Sequence, residues 1–315
     1  MQAVKILITE KIDSILFDML TAAGFNCTHI EEISYAQLSG IIANYNGLIV
    51  RSKVTIDAAL IDKGINLSCI GRAGSGMELI DTQYAQQKGI TCYNSPEGNK
   101  DAVAEQAVGM LMALLHHTCT ADAEMRQAQW NRLSHRGNEL MGSTVGIIGF
   151  GNTGSAFAQR LQGFGVNILA YDKYQTNYGN AYTQVATMAS IFEEADVISL
   201  HLPLNTETQH LVDAHFIGQF KKPIYLINTS RGGIVNTNDI LTALQQKQLK
   251  GLALDVFENE DFSSYNANEW ATYKQLAQQK NCVLSPHTGG LSVQSAHKIA
   301  AVLGKKIIQH FNTKI

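Results

Sequence analysis

Three short stretches of this sequence supply residue types that can hold an anion and move a proton. In "PIYLINTSRGG" an apolar, β-prone run from Pro223 to Ile227 gives way to Asn228-Thr229-Ser230, a lone Arg231 and then Gly232-Gly233. Ligands bind at the carboxyl edge of parallel sheets. An arginine there, with two glycines giving it room, can fork onto a carboxylate through two parallel hydrogen bonds. "LALDVFENED" ends a second such run and supplies Asp255, Glu258 and Glu260, and "VLSPHTGG" ends a third and presents His287. An imidazole titrates near ~6.5, and a carboxylate beside it raises that value and orients the ring. Arginine to grip a carboxylate, histidine to exchange a hydroxyl proton and an acid to support the imidazolium together suit hydride transfer at a 2-hydroxy acid. Taken singly, each has a plain explanation: a loop histidine, an arginine paired with a surface acid, a solvated acidic loop. Their joint placement behind three strand ends is what gives them weight.

Those strand ends belong to a series that starts at Thr144: "TVGIIGFG", "VNILAYD", "DVISLHLP", "IYLINTS", "KGLALDVF" and "NCVLSPH". Six strand-like segments with helical patterns between them predict a doubly wound α/β sheet of Rossmann type. The first segment runs into Gly149-x-Gly151-x-x-Gly154 and then a helix. That spacing is weak evidence alone, but here strand and helix flank it correctly. The first glycine permits the turn, the second admits a pyrophosphate and the third lets helix and sheet close up. About twenty residues on, "ILAYD" ends in Asp172, placed to bind ribose hydroxyls and repel a 2′-phosphate. The cofactor expected is NAD, with Lys173 beside Asp172 the one feature that argues against strictness.

The first ~95 residues repeat the alternation with "VKILIT", "GLIV", "SCIGRAG" and "ITCYN", which predicts a second parallel α/β unit. Pro96 and Gly98 break the chain, a long helical stretch is expected from Asp101 to about Gln129, and Ser292 to about His310 reads as one amphipathic helix. The chain has 315 residues, 45% hydrophobic and 16% charged, enough apolar material for two cores. A net charge of −3 without a basic stripe excludes nucleic acid as the expected partner. Five scattered cysteines, without CxxC spacing, read as reduced thiols, and no metal site is expected. No secretion signal and no apolar run of ~20 residues is present, so a soluble cytoplasmic protein without a membrane contact is expected.

The motifs "IGRAGSGMELID", "GNKDAVAEQAVGMLMAL", "VGIIGFGNTG", "NTSRGGIVN", "ALDVFENE" and "SPHTGG", in this order, resemble the D-isomer-specific 2-hydroxyacid dehydrogenases. The similarity runs from about residue 45 to the C-terminus and is greatest to the catalytic core of the phosphoglycerate-oxidising branch. It implies a flavodoxin-like substrate domain, residues 1–99 with 287–315, and an NAD-binding Rossmann domain, residues 100–286. It also implies a homodimer or higher homo-oligomer formed partly through a segment at about 118–141. Arg231 is then the carboxylate-binding residue, His287 the acid and base, and Glu260 its partner, while Glu258 falls at a less constrained position. Asn152 and Thr153 join the glycines at the pyrophosphate, and Asp172 binds the ribose. Thr229 and Asp255 hold the nicotinamide end, and Pro203, Thr208, Gly289 and Gly290 complete the cofactor contacts. Ser75 and Gly76 offer N–H groups to the substrate, together with Asn99. Ser52 is a further substrate contact, and Arg51, Arg72 and, from a partner subunit, Arg132 match basic positions that receive a phosphate.

The substrate expected on this basis is D-3-phosphoglycerate, oxidised to 3-phosphohydroxypyruvate on the way to serine. Another D-2-hydroxy acid, such as glycerate, lactate or a branched-chain acid, is the alternative. A more distant one is a non-catalytic NAD-sensing protein of corepressor type. Three departures from the family pattern stand out: Asp261 where proline often follows the glutamate, Glu78 where aspartate is common, and Lys100-Asp101 in place of a small polar pair. The chain ends soon after its last helix, so no appended regulatory domain and no serine feedback through one are expected.

Overall fold

The computed structural model describes residues 3–313. The chain divides into two compact units, Met1–Lys100 with Leu291–Ile315, and Asp101–Gly290.

The first unit is built on five parallel strands: β1 (Lys5–Ile8), β2 (Asn26–His29), β3 (Gly47–Val50), β4 (Cys69–Arg72) and β5 (Thr91–Tyr93), in the order β2-β1-β3-β4-β5. The order reverses between β1 and β3, the switch point of the flavodoxin-like arrangement. Both faces are covered, which is why β3 reads as a continuous apolar run. Ile6, Ile49 and Cys69 face Leu303, Ile307 and Phe311 of the terminal helix, Val293–Asn312. Leu7, Leu48 and Ile70 face the opposite way, onto Leu38 and Leu60. Ser292 starts the terminal helix with a reciprocal cap to Ser295. Gly71 is needed beneath it, since a Cβ there would lie 3.2 Å from a Leu303 methyl. The strand β2, "NCTH", has no apolar alternation and escapes a reading by periodicity. It pairs along β1 from Lys5↔Asn26 to Ile8↔His29.

The second unit carries seven parallel strands: β6 (Thr144–Ile148), β7 (Asn167–Tyr171), β8 (Gln184–Val185), β9 (Val197–Leu200), β10 (Ile224–Asn228), β11 (Leu249–Leu254) and β12 (Cys282–Leu284). Their order is β12-β11-β10-β9-β6-β7-β8, a Rossmann sheet with its switch point between β6 and β9. Six of them coincide with the expected segments. The two-residue strand β8 is too short to leave a pattern. His287, Thr288 and Gly289, expected to begin the substrate domain, fall in this unit because their N–H groups bond Asp255.

The long helix expected from Asp101 is two helices, Pro96–Leu115 and Thr118–Arg126. Pro96 opens the first rather than breaking the chain, since a proline at the first helical position forfeits no hydrogen bond. His117, at φ 54°, interrupts it, and the Leu115 carbonyl accepts from Asn138 N instead of from a following turn. Among the described residues no helix is long and apolar enough to cross a membrane.

Candidate active site

The loops behind β10, β11 and β12 bring Arg231, Glu260 and His287 into one cluster. His287 Nδ1 lies 2.8 Å from Glu260 Oε2, so Nδ1 carries the hydrogen and Nε2 is left for a ligand. The backbone of His287 sits in the left-handed region, φ 53°. It is held there by its N–H on the Asp255 carbonyl at 2.7 Å. Asp255, fully buried, orders the rest of that loop. Its Oδ1 accepts from Ser285 Oγ at 2.5 Å and Thr288 N at 2.9 Å, and its Oδ2 from Gly289 N at 2.7 Å. The hydrogen bond to Glu260 raises the His287 pKa above its ordinary value, against burial and the nearby charge of Arg231. The imidazolium is therefore favoured, and Arg231 is close enough to be felt.

Arg231 follows a strand end locked from within. Asn228 Nδ2 donates to the Arg231 carbonyl at 2.9 Å, Ser230 N to Asn228 Oδ1 at 3.0 Å, and Ser230 Oγ to the Leu200 carbonyl at 2.5 Å. The guanidinium donates to the Ser230 carbonyl at 2.7 Å. Gly232 and Gly233 have a further reason to be glycine. A Cβ on Gly232 would collide with the Phe257 carbonyl, and one on Gly233 would come 3.1 Å from Leu204. Gly232 lets the Arg231 loop lie directly on the loop that carries Glu260, and Gly233 lets it lie on the loop after β9.

The Glu260 loop is shaped by Asp261, one of the departures noted above. Asp261 caps the turn Phe262–Ser264 through Ser263 N at 2.9 Å. Tyr265 Oη donates to the Asn259 carbonyl at 2.8 Å. Phe262, Tyr265, Trp270 and Tyr273 pack in edge-to-face and tilted pairs over the segment. Glu258 points elsewhere: it accepts from Thr237 N at 2.8 Å and pairs with His210 Nε2 at 2.6 Å. Burial alone would raise the Glu258 pKa, but these bonds outweigh it and hold the carboxyl below its usual range.

At the carboxyl end of β6, Gly149 has φ 91°, and a Cβ there would strike the His201 carbonyl. A Cβ on Gly154 would strike the Gly149 carbonyl. Gly151 is exposed, with no atom within 4 Å of where a Cβ would stand. It caps the helix Asn152–Leu161, whose first N–H groups are thereby left open.

A family model described as "D-isomer specific 2-hydroxyacid dehydrogenase, NAD binding domain" matches residues 108–289. A hydroxypyruvate reductase of Thermotoga maritima is 33% identical over 89% of this chain and 89% of its own length. The chain belongs to the D-isomer-specific 2-hydroxyacid dehydrogenases. A D-3-phosphoglycerate dehydrogenase of Synechocystis sp. is 32% identical over 96% of the chain, which spans only about half, 53%, of that relative's length. A D-lactate dehydrogenase of Lactobacillus jensenii, solved with NAD⁺, superposes with a TM-score of 0.79 at 26% identity over 97% of each chain.

The cofactor is NAD, and the residues present fit it. The open helix N-terminus behind Gly151 suits a pyrophosphate. Asp172 accepts from Phe150 N on Oδ2 at 2.8 Å and from Tyr174 N and Gln175 N on Oδ1 at 2.9 Å. Burial works to raise its pKa, but these three bonds prevail and keep it below the usual carboxylate range. A fixed negative charge with one lone pair still open on Oδ2 suits a ribose hydroxyl. Thr229 Oγ1 is buried and has no hydrogen-bond partner among the described residues, a vacancy that a carboxamide would satisfy. The turn Pro203–Thr208 is closed by Thr208 Oγ1 on the Pro203 carbonyl at 2.6 Å.

Most of the remaining expected positions belong to the first unit. In the first unit Ser75 Oγ donates to Asn99 Oδ1 at 2.6 Å, and the Arg72 guanidinium lies against Gly74. The N–H groups of Arg51, Ser52 and Lys53 converge on Glu10 at 2.7 to 3.1 Å, as does the Ser52 hydroxyl at 3.2 Å. Arg132 is exposed on the turn Arg132–His135 of the second unit. This turn is anchored by Glu124, which accepts from Asn131, His135 and Lys280 and is lowered to about 2 by those three bonds. Sequence reasoning missed Glu10, His210 and Glu207. An acid directly after a buried strand, as in Thr9-Glu10, was the available signal for the first. The other two sit in a polar loop that offers none.

Proposed function

We propose that this dehydrogenase oxidises D-3-phosphoglycerate to 3-phosphohydroxypyruvate with NAD, in the direction of serine. The observation that carries the chemistry is the 2.8 Å pair of His287 and Glu260, within the field of Arg231. In this reading Arg231 forks onto the substrate carboxylate and orients C2. His287 Nε2 accepts the C2 hydroxyl proton while its Nδ1–H remains on Glu260, which stabilises the charge the ring acquires. NAD, when bound, supplies the hydride acceptor. Asn152, Thr153, Asp172, Pro203, Thr208, Thr229, Gly289 and Gly290 are proposed to hold it. Asp255 acts one step back, by fixing the His287 loop. Arg51, Arg72 and Arg132 are proposed for the phosphate, the last acting on a partner's substrate. The dimer this requires is supported by Met125, Trp130, Leu133 and Met141, all more than half exposed and all within or beside the 118–141 segment. Cytoplasmic location goes with the substrate.

A second reading is reduction of hydroxypyruvate. It is favoured by the Thermotoga relative, which matches nearly end to end. Oxidation of NADH at 340 nm with 3-phosphohydroxypyruvate, hydroxypyruvate, pyruvate, glyoxylate and 2-ketoisocaproate separates them. The phosphorylated acid is expected to lead by about a hundredfold in kcat/KM, about 2.7 kcal/mol, and Arg51→Ala to raise its KM alone. A lead for hydroxypyruvate replaces the substrate and leaves the mechanism. Binding of NADH without turnover of any acid overturns the enzyme reading.

A further inference from the structure

The loop after β7 carries a cation that the reaction does not use. Lys173 follows Asp172 directly, and a cation near that acid is what a Rossmann site uses to accept a 2′-phosphate. Here it is engaged. Lys173 Nζ lies 2.7 Å from Glu207 Oε2, and Tyr174 Oη donates to the same oxygen at 2.5 Å. Glu207 comes from the loop after β9, and β6 lies between β7 and β9 in the sheet. The ion pair therefore spans the carboxyl end of β6, where the glycine turn lies.

Both of its ends are fixed. Asn205 Oδ1 accepts from Glu207 N at 2.9 Å and Thr208 N at 3.0 Å, which sets the Glu207 backbone. Asp172 Oδ1 accepts from Tyr174 N and Gln175 N, which sets the other side. The hydrogen bond to Glu207 raises the Lys173 pKa, so the cation is retained and committed.

We propose that Glu207 is a cofactor-specificity residue that selects NAD over NADP by sequestering Lys173, independently of the charge on Asp172. Both side chains are about half exposed, 56% and 51%, so the effect is that of one surface ion pair.

The test is calorimetric binding of 5′-AMP and 2′,5′-ADP, which differ only in the 2′-phosphate and require no substrate. Glu207→Gln is expected to tighten 2′,5′-ADP about fivefold and to leave 5′-AMP within about twofold. The NADP/NAD ratio of kcat/KM should rise in parallel. In the Glu207→Gln, Lys173→Met double variant the gain should vanish. An unchanged ratio in Glu207→Gln overturns the proposal. So does a gain that survives without Lys173, since the Glu207 charge alone would then be responsible. If neither nucleotide binds the parent enzyme, the glycine turn is not the adenosine site and the proposal falls with it.

Discussion

At the carboxyl end of β1 the amides of Arg51, Ser52 and Lys53 converge on the carboxylate of Glu10, which is 3% exposed. At the carboxyl end of β6 the turn from Gly149 to Gly151 leads into open helix amides that no side chain caps. Both places are topological switch points, between β1 and β3 in one sheet and between β6 and β9 in the other. Topology supplies a crevice and a set of N–H groups at each. Residue chemistry then decides who occupies them. In the first unit the chain provides its own anion. In the second it provides glycine and leaves the helix amides open to an anion from outside. A doubly wound sheet is thus a site for an anion before it is a site for a nucleotide.

The comparison breaks most severely if the internal anion is removed. Glu10→Ala loses a buried group with four N–H and O–H donors, and should destabilise the fold by about 3 kcal/mol, read from urea midpoints. The emptied nest should then take an anion from solution. Inorganic phosphate should restore part of the lost midpoint in Glu10→Ala, compared with chloride at equal ionic strength, and do nothing for the parent protein. A midpoint within ~0.5 kcal/mol of the parent would mean that water satisfies the loop and that Glu10 is incidental.

The converse exchange fills the open site from within. In Gly151→Asp the new Cβ meets nothing within 4 Å and the backbone, at φ −78°, is outside the left-handed region. Aspartate is also a better helix cap than glycine, by a few tenths of a kcal/mol. The variant should fold as well as the parent or slightly better. Its carboxylate would occupy the helix N-terminus as Glu10 occupies its nest. NADH affinity, followed by fluorescence titration, should fall about a hundredfold, about 2.7 kcal/mol. Retained affinity would place the pyrophosphate elsewhere.

How much of this was legible in the sequence differs between the same two regions. The glycine spacing after "TVGIIGF" is a local signal with a backbone cause, and the structure finds a turn and two close approaches there. Continuously buried strands such as β3 and β6 were legible because both faces are covered. The strands β2 and β8 were not, the first for its polar residues and the second for its length. The break at His117 depends on Asn138, twenty-one residues later, taking the Leu115 carbonyl. Pairings such as Glu10 with residues 51–53 and Glu207 with Lys173 are longer still, and no period or spacing encodes them. The glycines after Arg231 were visible, but their close approach to Phe257 and Leu204 was not, since those residues come from other loops.

The smallest expected effect sharpens the contrast between a carboxylate that only organises and one that also tunes a proton. Glu260 accepts from His287 and is the chief cause of its raised pKa. Reduction of a 2-keto acid consumes a proton from the imidazolium, the form present below that pKa and lost as pH rises through it. Raising the pKa therefore extends reduction to higher pH, and Glu260→Gln should move the alkaline fall in kcat/KM toward lower pH. At pH near 8 reduction should drop about tenfold. Oxidation, which needs the neutral ring, should suffer less. The measurement is the pair of pH profiles, forward and reverse. A scaffold defect would lower both by one factor at every pH and leave the limb in place. That second pattern is the one expected of Glu10→Gln, whose carboxylate touches only the 51–53 loop. If Glu260→Gln behaves like Glu10→Gln, then Glu260 holds the His287 loop in shape and the raised pKa plays no part in turnover.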